Sequence, residues 1–185
     1  TNDSLTALPF HAGFIAGLRQ DTSIFKLADA RKLYQTRSLA ARDLRNKVYR
    51  EENEAWLKSN ATKPGVVVLP SGLQYKVIKE GDGATPKATD QVKVVYEGKT
   101  IDGKVFDTTS RHGDVQFDTF RCDQVIKGWT EALTKMKVGS KWEVFIPQDL
   151  AYGASEAGQI KPYSTLIFTV ELVGISDPVA AAPAP

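Results

Sequence analysis

In the first third of the chain, hydrophobic positions recur with the three- and four-residue spacing of α-helices. A short first helix is predicted from about Pro9, before a polar segment at residues 20–23. Its shared apolar face consists of Phe10, Phe14, Ile15 and Leu18. A long second helix is predicted over residues 27–57, and its apolar side consists of Leu33, the stem of Arg37, Ala41, Leu44, Val48 and Trp56.

The length of the second helix is informative. A helix of about thirty residues is roughly 45 Å long, more than a small domain needs, and it is not stable alone in water. An exposed apolar stripe of that length usually meets a partner. We therefore interpret the two helices as a dimerisation arm, with the many charged residues of the long helix forming a solvated face.

From about residue 60 onward, the pattern changes to the alternation that is typical of strands. Lys-Pro-Gly at residues 63–65 and Pro-Ser-Gly at 70–72 break the helical pattern. Half-buried strands are predicted at residues 73–78, 92–96, 142–146 and 166–172. A single helical pattern, over about residues 125–136, interrupts them. Strands with one amphipathic helix on their apolar face predict an α+β domain.

Composition and net charge argue against several classes of function. The 185 residues carry a formal net charge of +2, and no basic-aromatic series suggests a nucleic-acid groove. The single cysteine, Cys122, excludes an intrachain disulfide, and His11 and His112 are interpreted as surface residues. We expect no metal and no cofactor. We also expect no membrane span, since no run of about 18 apolar residues occurs. No leader is visible at Thr1.

Three short segments carry the candidate chemistry: residues 105–107, 124–129 and 150–153. Together they supply aromatic and aliphatic surface, the carboxylate of Asp107 and the phenol of Tyr152. They include no Cys/His cluster, no Ser/His/Asp set and no glycine-rich phosphate loop. If the segments converge, they form an apolar cup with two polar groups. Such a cup suits a reaction in which a desolvated ligand rotates about a bond rather than one in which a bond is cleaved.

The order of several motifs resembles the FK506-binding-protein (FKBP) family of peptidyl-prolyl isomerases over residues 69–175. The motifs are Leu-Pro-Ser-Gly-Leu-Gln-Tyr at 69–75, Val-Tyr-Glu-Gly at 95–98, Asp-Gly-Lys-Val-Phe-Asp-Thr-Thr at 102–109, Gln-Val-Ile-Lys-Gly-Trp at 124–129, Ala-Tyr-Gly at 151–153 and Thr-Leu-Ile-Phe-Thr-Val-Glu-Leu at 165–172. The resemblance implies an antiparallel twisted sheet of five or six strands wrapped around one short helix.

The resemblance also implies a proline-binding cup. Its residues are Tyr96, Phe106, Asp107, Val125, Ile126, Trp129, Tyr152 and Phe168, with Ile160 as a hydrophobic lip. Another wall is expected from Phe117, with Val115 as the other candidate. Taken singly, Trp129 and Phe168 are typical of a core and Asp107 of a turn; only their joint match to one site indicates ligand binding.

The roles implied for these residues suit rotation about an amide. Trp129 would form the floor beneath the proline ring, and the Ile126 N–H and Tyr152 phenol would hold the substrate's carbonyl groups. Asp107 would either interact with the rotated carbonyl or orient neighbouring side chains. Lys161-Pro162 stands where the family usually has two prolines, followed by Tyr163, and this departure borders the cup.

The helical arm resembles that of the Mip/FkpA-like bacterial subgroup. This implies a homodimer joined through the N-terminal helices, and export to the periplasm or cell envelope. The expected organisation is an arm for dimerisation and client holding at residues 1–62, an isomerase domain at 63–177 and a flexible Ala/Pro tail at 178–185. The expected partners are unfolded proteins with X-Pro bonds, together with the macrolides FK506 and rapamycin. The alternatives are a non-catalytic chaperone and a macrolide-binding scaffold.

Overall fold

The computed structural model describes residues 27–176, which begin with one long helix. Helix α1 spans Leu27–Asn60, with Asp29 in its first turn and Lys58 in its last, the charge order that the helix dipole favours. The predicted long helix is confirmed, and the predicted short first helix lies outside the described residues. No helix within residues 27–176 is both long and apolar enough to cross a membrane.

Two compact units divide within α1, between Lys47 and Val48. The last turns of α1 therefore belong to the same unit as the strands. Three of their side chains contact that unit. The Trp56 ring lies 5.7 Å from the Phe145 ring, Asn60 Nδ2 donates to Gln74 Oε1 at 3.0 Å, and Asn53 Oδ1 accepts the Thr165 N–H.

The strands form one antiparallel sheet. Their bounds are β1 Val66–Val68, β2 Gln74–Lys79, β3 Gln91–Thr100, β4 Val105–Thr108, β5 Asp118–Arg121, β6 Lys141–Ile146 and β7 Leu166–Ser176. The order is β1-β2-β6-β7-β3-β4, and β5 also pairs with β3. The four predicted strands are confirmed as β2, β3, β6 and β7. The other three were missed because three or four residues are too few to show an alternating pattern.

One short helix packs on the apolar face of the sheet. Helix α2 spans Lys127–Leu133, and its residues Trp129 and Leu133 are buried in the core. It begins later than predicted because the backbone of Ile126 is extended (φ −59°, ψ 148°). A Cβ at Gly128 would lie 2.4 Å from Ile146 Cγ2, so only glycine lets the helix approach the sheet this closely.

Candidate functional site

A cavity of about 460 Å³ opens where α2 meets the central strands. It is lined by Tyr96, Phe106, Asp107, Phe120, Gln124, Val125, Ile126, Trp129, Tyr152 and Phe168. The three segments singled out in the sequence therefore converge on one cavity.

Aromatic rings packed edge to face form its inner surface. The centroid of the Trp129 ring lies 5.1 Å from that of Tyr96, 5.2 Å from Phe168 and 5.5 Å from Phe120. Each of these pairs is close to perpendicular, the arrangement that places a positive ring edge against a negative face. Trp129 is only 5% exposed, and its indole Nε1 has no acceptor within residues 27–176. Phe106 extends the wall through a contact of 5.5 Å with Phe168.

Strand register places the carboxylate beside these rings. Gly98 on β3 pairs with Asp107 on β4 and with Phe168 on β7, so the three residues form one row across the sheet. A Cβ at Gly98 would lie 2.6 Å from Phe168 Cε1 and 2.7 Å from Phe106 Cζ. Because glycine has no side chain, both rings can lie against the backbone of β3.

Asp107 accepts hydrogen bonds on both of its carboxylate oxygens. The Tyr96 hydroxyl donates to Oδ2 at 2.5 Å, and the Thr108 N–H donates to Oδ1 at 2.9 Å. Burial alone would raise the pKa of Asp107, but the hydrogen bonds from Tyr96 and His112 outweigh it, and the pKa is lowered. Burial, and next the bond to Asp107, raises the pKa of Tyr96. The site thus holds an ionised carboxylate against a protonated phenol.

His112 is not an isolated surface residue, contrary to the interpretation from the sequence. Its Nε2 lies 3.0 Å from Asp107 Oδ1, and its Nδ1 lies 2.8 Å from Asp118 Oδ1. The hydrogen bond with Asp118 is the largest cause that raises the pKa of His112, and the bond with Asp107 acts in the same direction against burial. This bridge was not predictable from local sequence, because its two carboxylates lie on different strands.

The other two polar groups predicted for substrate lie at the cavity as well. Ile126 directly precedes α2, and its carbonyl accepts the N–H groups of Trp129 and Thr130. The Ile126 N–H donates to no group within residues 27–176. Tyr152, in the loop after β6, is 42% exposed. Both residues line the cavity.

Phe120, rather than Phe117 or Val115, lines the cavity. On β5, Phe120 pairs with the fully buried Val92 of β3, whereas Thr119 pairs with Lys93. Side chains alternate between the two faces of a strand, so Phe120 points toward the core. Phe117 instead lies beneath the Lys93 ammonium, which is 5.0 Å from its ring centroid. The sequence signal that could have identified Phe120 is Cys122 two positions later. Cysteine is usually buried, and residues two apart on a strand share a face.

Of the remaining predicted positions, Val125 lines the cavity and Ile160 does not. Ile160 is 5% exposed and packs in the core cluster, where its N–H and carbonyl both bond to Ala157. Gln124, which was not among the predicted site residues, also lines the cavity. Within residues 27–176, no group of three or more His, Cys, Asp or Glu side chains is placed to hold a metal ion.

The loop at residues 153–165 joins the cavity to helix α1. The Tyr163 N–H donates to the carbonyl of Gly153, next to Tyr152, at 2.7 Å. Ser164 Oγ lies 3.0 Å from the Tyr49 hydroxyl and donates to the Lys161 carbonyl at 2.8 Å. Tyr163 has a positive φ of 65°, which is uncommon for a residue with a side chain. The segment 161–163, which departs from the usual pair of prolines, is therefore fixed by contacts with α1: Arg50 lies over the Tyr163 ring, and Lys161 lies over the Tyr49 ring.

Comparisons with known proteins agree with this fold. Residues 83–173 match the family model described as FKBP-type peptidyl-prolyl cis-trans isomerase. Residues 2–77 match the model described as the domain amino terminal to that isomerase. The chain belongs to the FKBP-type peptidyl-prolyl cis-trans isomerase family, in its Mip/FkpA subgroup.

Individual relatives cover most of the chain. The outer membrane protein MIP of Legionella longbeachae is 48% identical over 155 residues, which are 81% of this chain and 66% of that protein. The FKBP-type 22 kDa peptidyl-prolyl cis-trans isomerase of Escherichia coli K12 is 50% identical over 140 residues, 75% of this chain and 67% of that protein. The chain thus spans about two thirds of these relatives' length.

A solved structure shows the same architecture. The crystal structure of FkpA from Escherichia coli superposes with a TM-score of 0.75 at 33% identity, covering 90% of this chain and 80% of that one. The expected fold, a sheet wrapped on one short helix and preceded by a long helix, is confirmed.

Proposed function

We propose that this protein catalyses cis–trans isomerisation of X-Pro bonds in unfolded or partly folded proteins. The observation that supports this most directly is the cavity with Trp129 at its base, walled by Tyr96, Phe120 and Phe168. A compact, apolar proline ring suits such walls, and the cavity volume of about 460 Å³ leaves room for it.

The apolar lining supplies the main catalytic effect in this proposal. Rotation about the peptide bond removes amide resonance, over a barrier of roughly 18–20 kcal/mol. A twisted amide is less dipolar than a planar one, so a water-poor site stabilises the transition state relative to the bound ground state. No covalent bond is broken, so a nucleophile is not required.

The polar groups are proposed to position the substrate. The Ile126 N–H and the Tyr152 phenol would donate to carbonyl groups on either side of the proline ring. Of the two roles open to Asp107, orientation of its neighbours is the better supported, because Tyr96, Thr108 and His112 already occupy its two oxygens. In this role, Asp107 fixes the Tyr96 ring that forms one wall.

A prolyl-peptide isomerisation assay tests the activity, using either protease coupling or exchange-broadened NMR signals. Tyr152→Phe and Asp107→Ala should each lower kcat/KM by about tenfold, equivalent to roughly 1.4 kcal/mol in the transition state. Glu52→Ala, an exposed change on α1, is the matched control. A wild-type rate close to the uncatalysed one would refute the proposal.

The same assay separates the alternatives. A non-catalytic chaperone would suppress aggregation of an unfolded client without accelerating isomerisation. A macrolide-binding scaffold would bind FK506 or rapamycin, also without turnover. We propose that both macrolides occupy the cavity of the active enzyme, so each should inhibit it competitively with the peptide.

Dimerisation through the arm is also proposed. Leu33, Tyr34 and Leu44 on α1 are 43%, 75% and 63% exposed, an unusual amount of apolar surface for a helix without a partner. If a second copy covers this surface, sedimentation should give a dimer that Leu33→Glu with Leu44→Glu converts to monomer. Gln35→Glu, an exposed change on the side of the helix away from Leu33 and Leu44, should not. A wild-type monomer at micromolar concentration would contradict this assignment.

For location, the proposal is the bacterial periplasm or cell envelope. The family membership and the relative named outer membrane protein MIP support it. Fractionation of cells that produce the native gene product, followed by immunodetection, would test it. Recovery only with cytoplasmic markers would reject it.

A further inference from the structure

His112 is placed between two walls of the cavity. It follows a single 3-10 turn at Thr109–Arg111 and contacts Asp107 on β4 with one ring nitrogen and Asp118 on β5 with the other. The same two strands carry the cavity residues Phe106 and Phe120. A single imidazole therefore links two segments that pair with β3 but are separated from each other along the chain.

The number of N–H groups on the His112 ring decides whether it can donate to both carboxylates. A neutral imidazole has one N–H donor and one acceptor nitrogen, whereas an imidazolium has two donors. Both ring nitrogens of His112 face carboxylate oxygens at hydrogen-bond distance. When both carboxylates are ionised, only the protonated ring can donate to both.

The two carboxylates depend on His112 to different extents. Asp107 also receives the Tyr96 hydroxyl and the Thr108 N–H. Asp118 Oδ2 is buried and has no hydrogen-bond partner within residues 27–176, which leaves His112 as the donor for the other oxygen. Loss of one proton from His112 leaves a single ring N–H, so one of the two carboxylates loses its His112 donor and both lose the neighbouring positive charge.

We infer that protonated His112 is a positioning residue that ties Asp107 to Asp118, aligning the β4 and β5 walls of the cavity for X-Pro isomerisation. This rests on the proposed function, since the activity is that of the same cavity. His112 does not itself line the cavity and acts through the residues that it joins.

The charged and titratable groups around His112 are consistent with an imidazolium. Asp107 faces it from β4, Asp118 from β5 and the Tyr96 ring from β3, with 6.1 Å between ring centroids. The neighbouring Arg111 directs Nη1 to the carbonyl of Val105 at 3.5 Å. Because the pKa of His112 is raised from 6.5, the bridge is complete below that value and is lost as the pH rises through the higher folded-state pKa.

The pH profile of kcat/KM for a prolyl peptide tests the inference, with three variants. Wild-type kcat/KM should fall by about fivefold or more as His112 deprotonates, the lower range of coupling between linked groups. His112→Gln should be low and flat with pH, because it cannot gain charge. His112→Arg should keep most activity at high pH, because its guanidinium stays protonated. Asp118→Asn should move the midpoint of the fall to lower pH.

An NMR titration of the histidine ring protons provides a readout that is independent of activity. The chain has two histidines, and the signal absent from His112→Gln identifies His112. Its midpoint should match that of the kcat/KM profile and shift with it in Asp118→Asn. A flat wild-type profile, or one that His112→Arg leaves unchanged, would overturn the inference.

The outcomes also separate the two proposals. Absence of isomerisation at every pH would refute the proposed function itself. The NMR titration would still decide the bridge, since a His112 that titrates at its ordinary value in the folded chain would show that it does not form.

Discussion

The side-chain oxygen of Asn53 accepts the backbone N–H of Thr165 at a distance of 2.7 Å. Asn53 lies on α1 and Thr165 directly precedes β7, so the bond joins residues that are 112 positions apart. Both residues are buried, and Asn53 Nδ2 in turn donates to the Tyr49 carbonyl at 2.8 Å. One amide thus satisfies two backbone groups, and the end of the helix becomes part of the isomerase domain.

Replacing Asn53 with alanine should destabilise the domain. The change leaves the buried Thr165 N–H without an acceptor, which costs about 1–3 kcal/mol. Urea unfolding followed by fluorescence would measure the loss, with the exposed Glu52→Ala as a control that stays within about 0.5 kcal/mol. Equal unfolding midpoints for the two variants would show that this bond contributes nothing.

Phe120 and Phe117 should differ in their effect on catalysis. Phe120 contacts Tyr96 and Trp129 in the cavity, whereas Phe117 lies under Lys93. Phe120→Ala should therefore lower kcat/KM by about tenfold through lost aromatic contact with the substrate and with the Trp129 ring. Phe117→Ala should change it less than about twofold on the same scale. Circular dichroism should confirm that both variants are folded, and the reverse order of effects would contradict the assignment.

Gly98→Ala should damage both stability and activity. The new methyl would meet the ring edges of Phe106 and Phe168, and overpacking of this kind typically costs about 1–3 kcal/mol. The displaced rings would move toward the cavity and obstruct substrate. Gly174→Ala on β7 is a matched control, because no atom lies within 4 Å of a Cβ built there. Thermal unfolding and kcat/KM should both separate the two variants, and equal values would argue against this close approach.

Asp107 should contribute to stability in neutral solution and lose that contribution in acid. Its folded-state pKa lies below its ordinary value of 3.8, so folding favours the ionised form. The contribution is present above 3.8 and is lost as the pH falls through the lower folded-state pKa. Between about pH 5 and pH 2.5, wild type should lose more free energy of unfolding than Asp107→Asn. Urea titrations at several pH values would measure this, and parallel curves would contradict it.

The long elements could be predicted from the periodicity of the sequence, and the main cavity residues from the order of its motifs. Helix α1 shows its periodicity over many turns, and the strands predicted at residues 92–96 and 166–172 lie within β3 and β7, which are ten and eleven residues long. Tyr96, Asp107, Trp129 and Tyr152 lie in motifs whose order matches a known family.

Other features depend on pairing that no local pattern reveals. Phe117 and Phe120 are both aromatic, and only the register of β5 against Val92 and Lys93 decides which one faces inward. The His112 bridge joins Asp107 and Asp118 only after two strands have paired with a third. The contacts of the end of α1 with Phe145 and Thr165 were likewise not predictable, because these partners lie about a hundred residues away in sequence.

The row formed by Asp107, Gly98 and Phe168 has a consequence for how this protein matures. The carboxylate and the ring come together only when β3 has paired with β7, whose partners Gly98 and Phe168 are far apart in the chain. Such non-local pairing forms slowly, after the loop-closure entropy has been overcome. A newly synthesised copy therefore has no working cavity until its sheet is complete, so the proposed activity cannot act on the proline bonds of the same chain during its own folding.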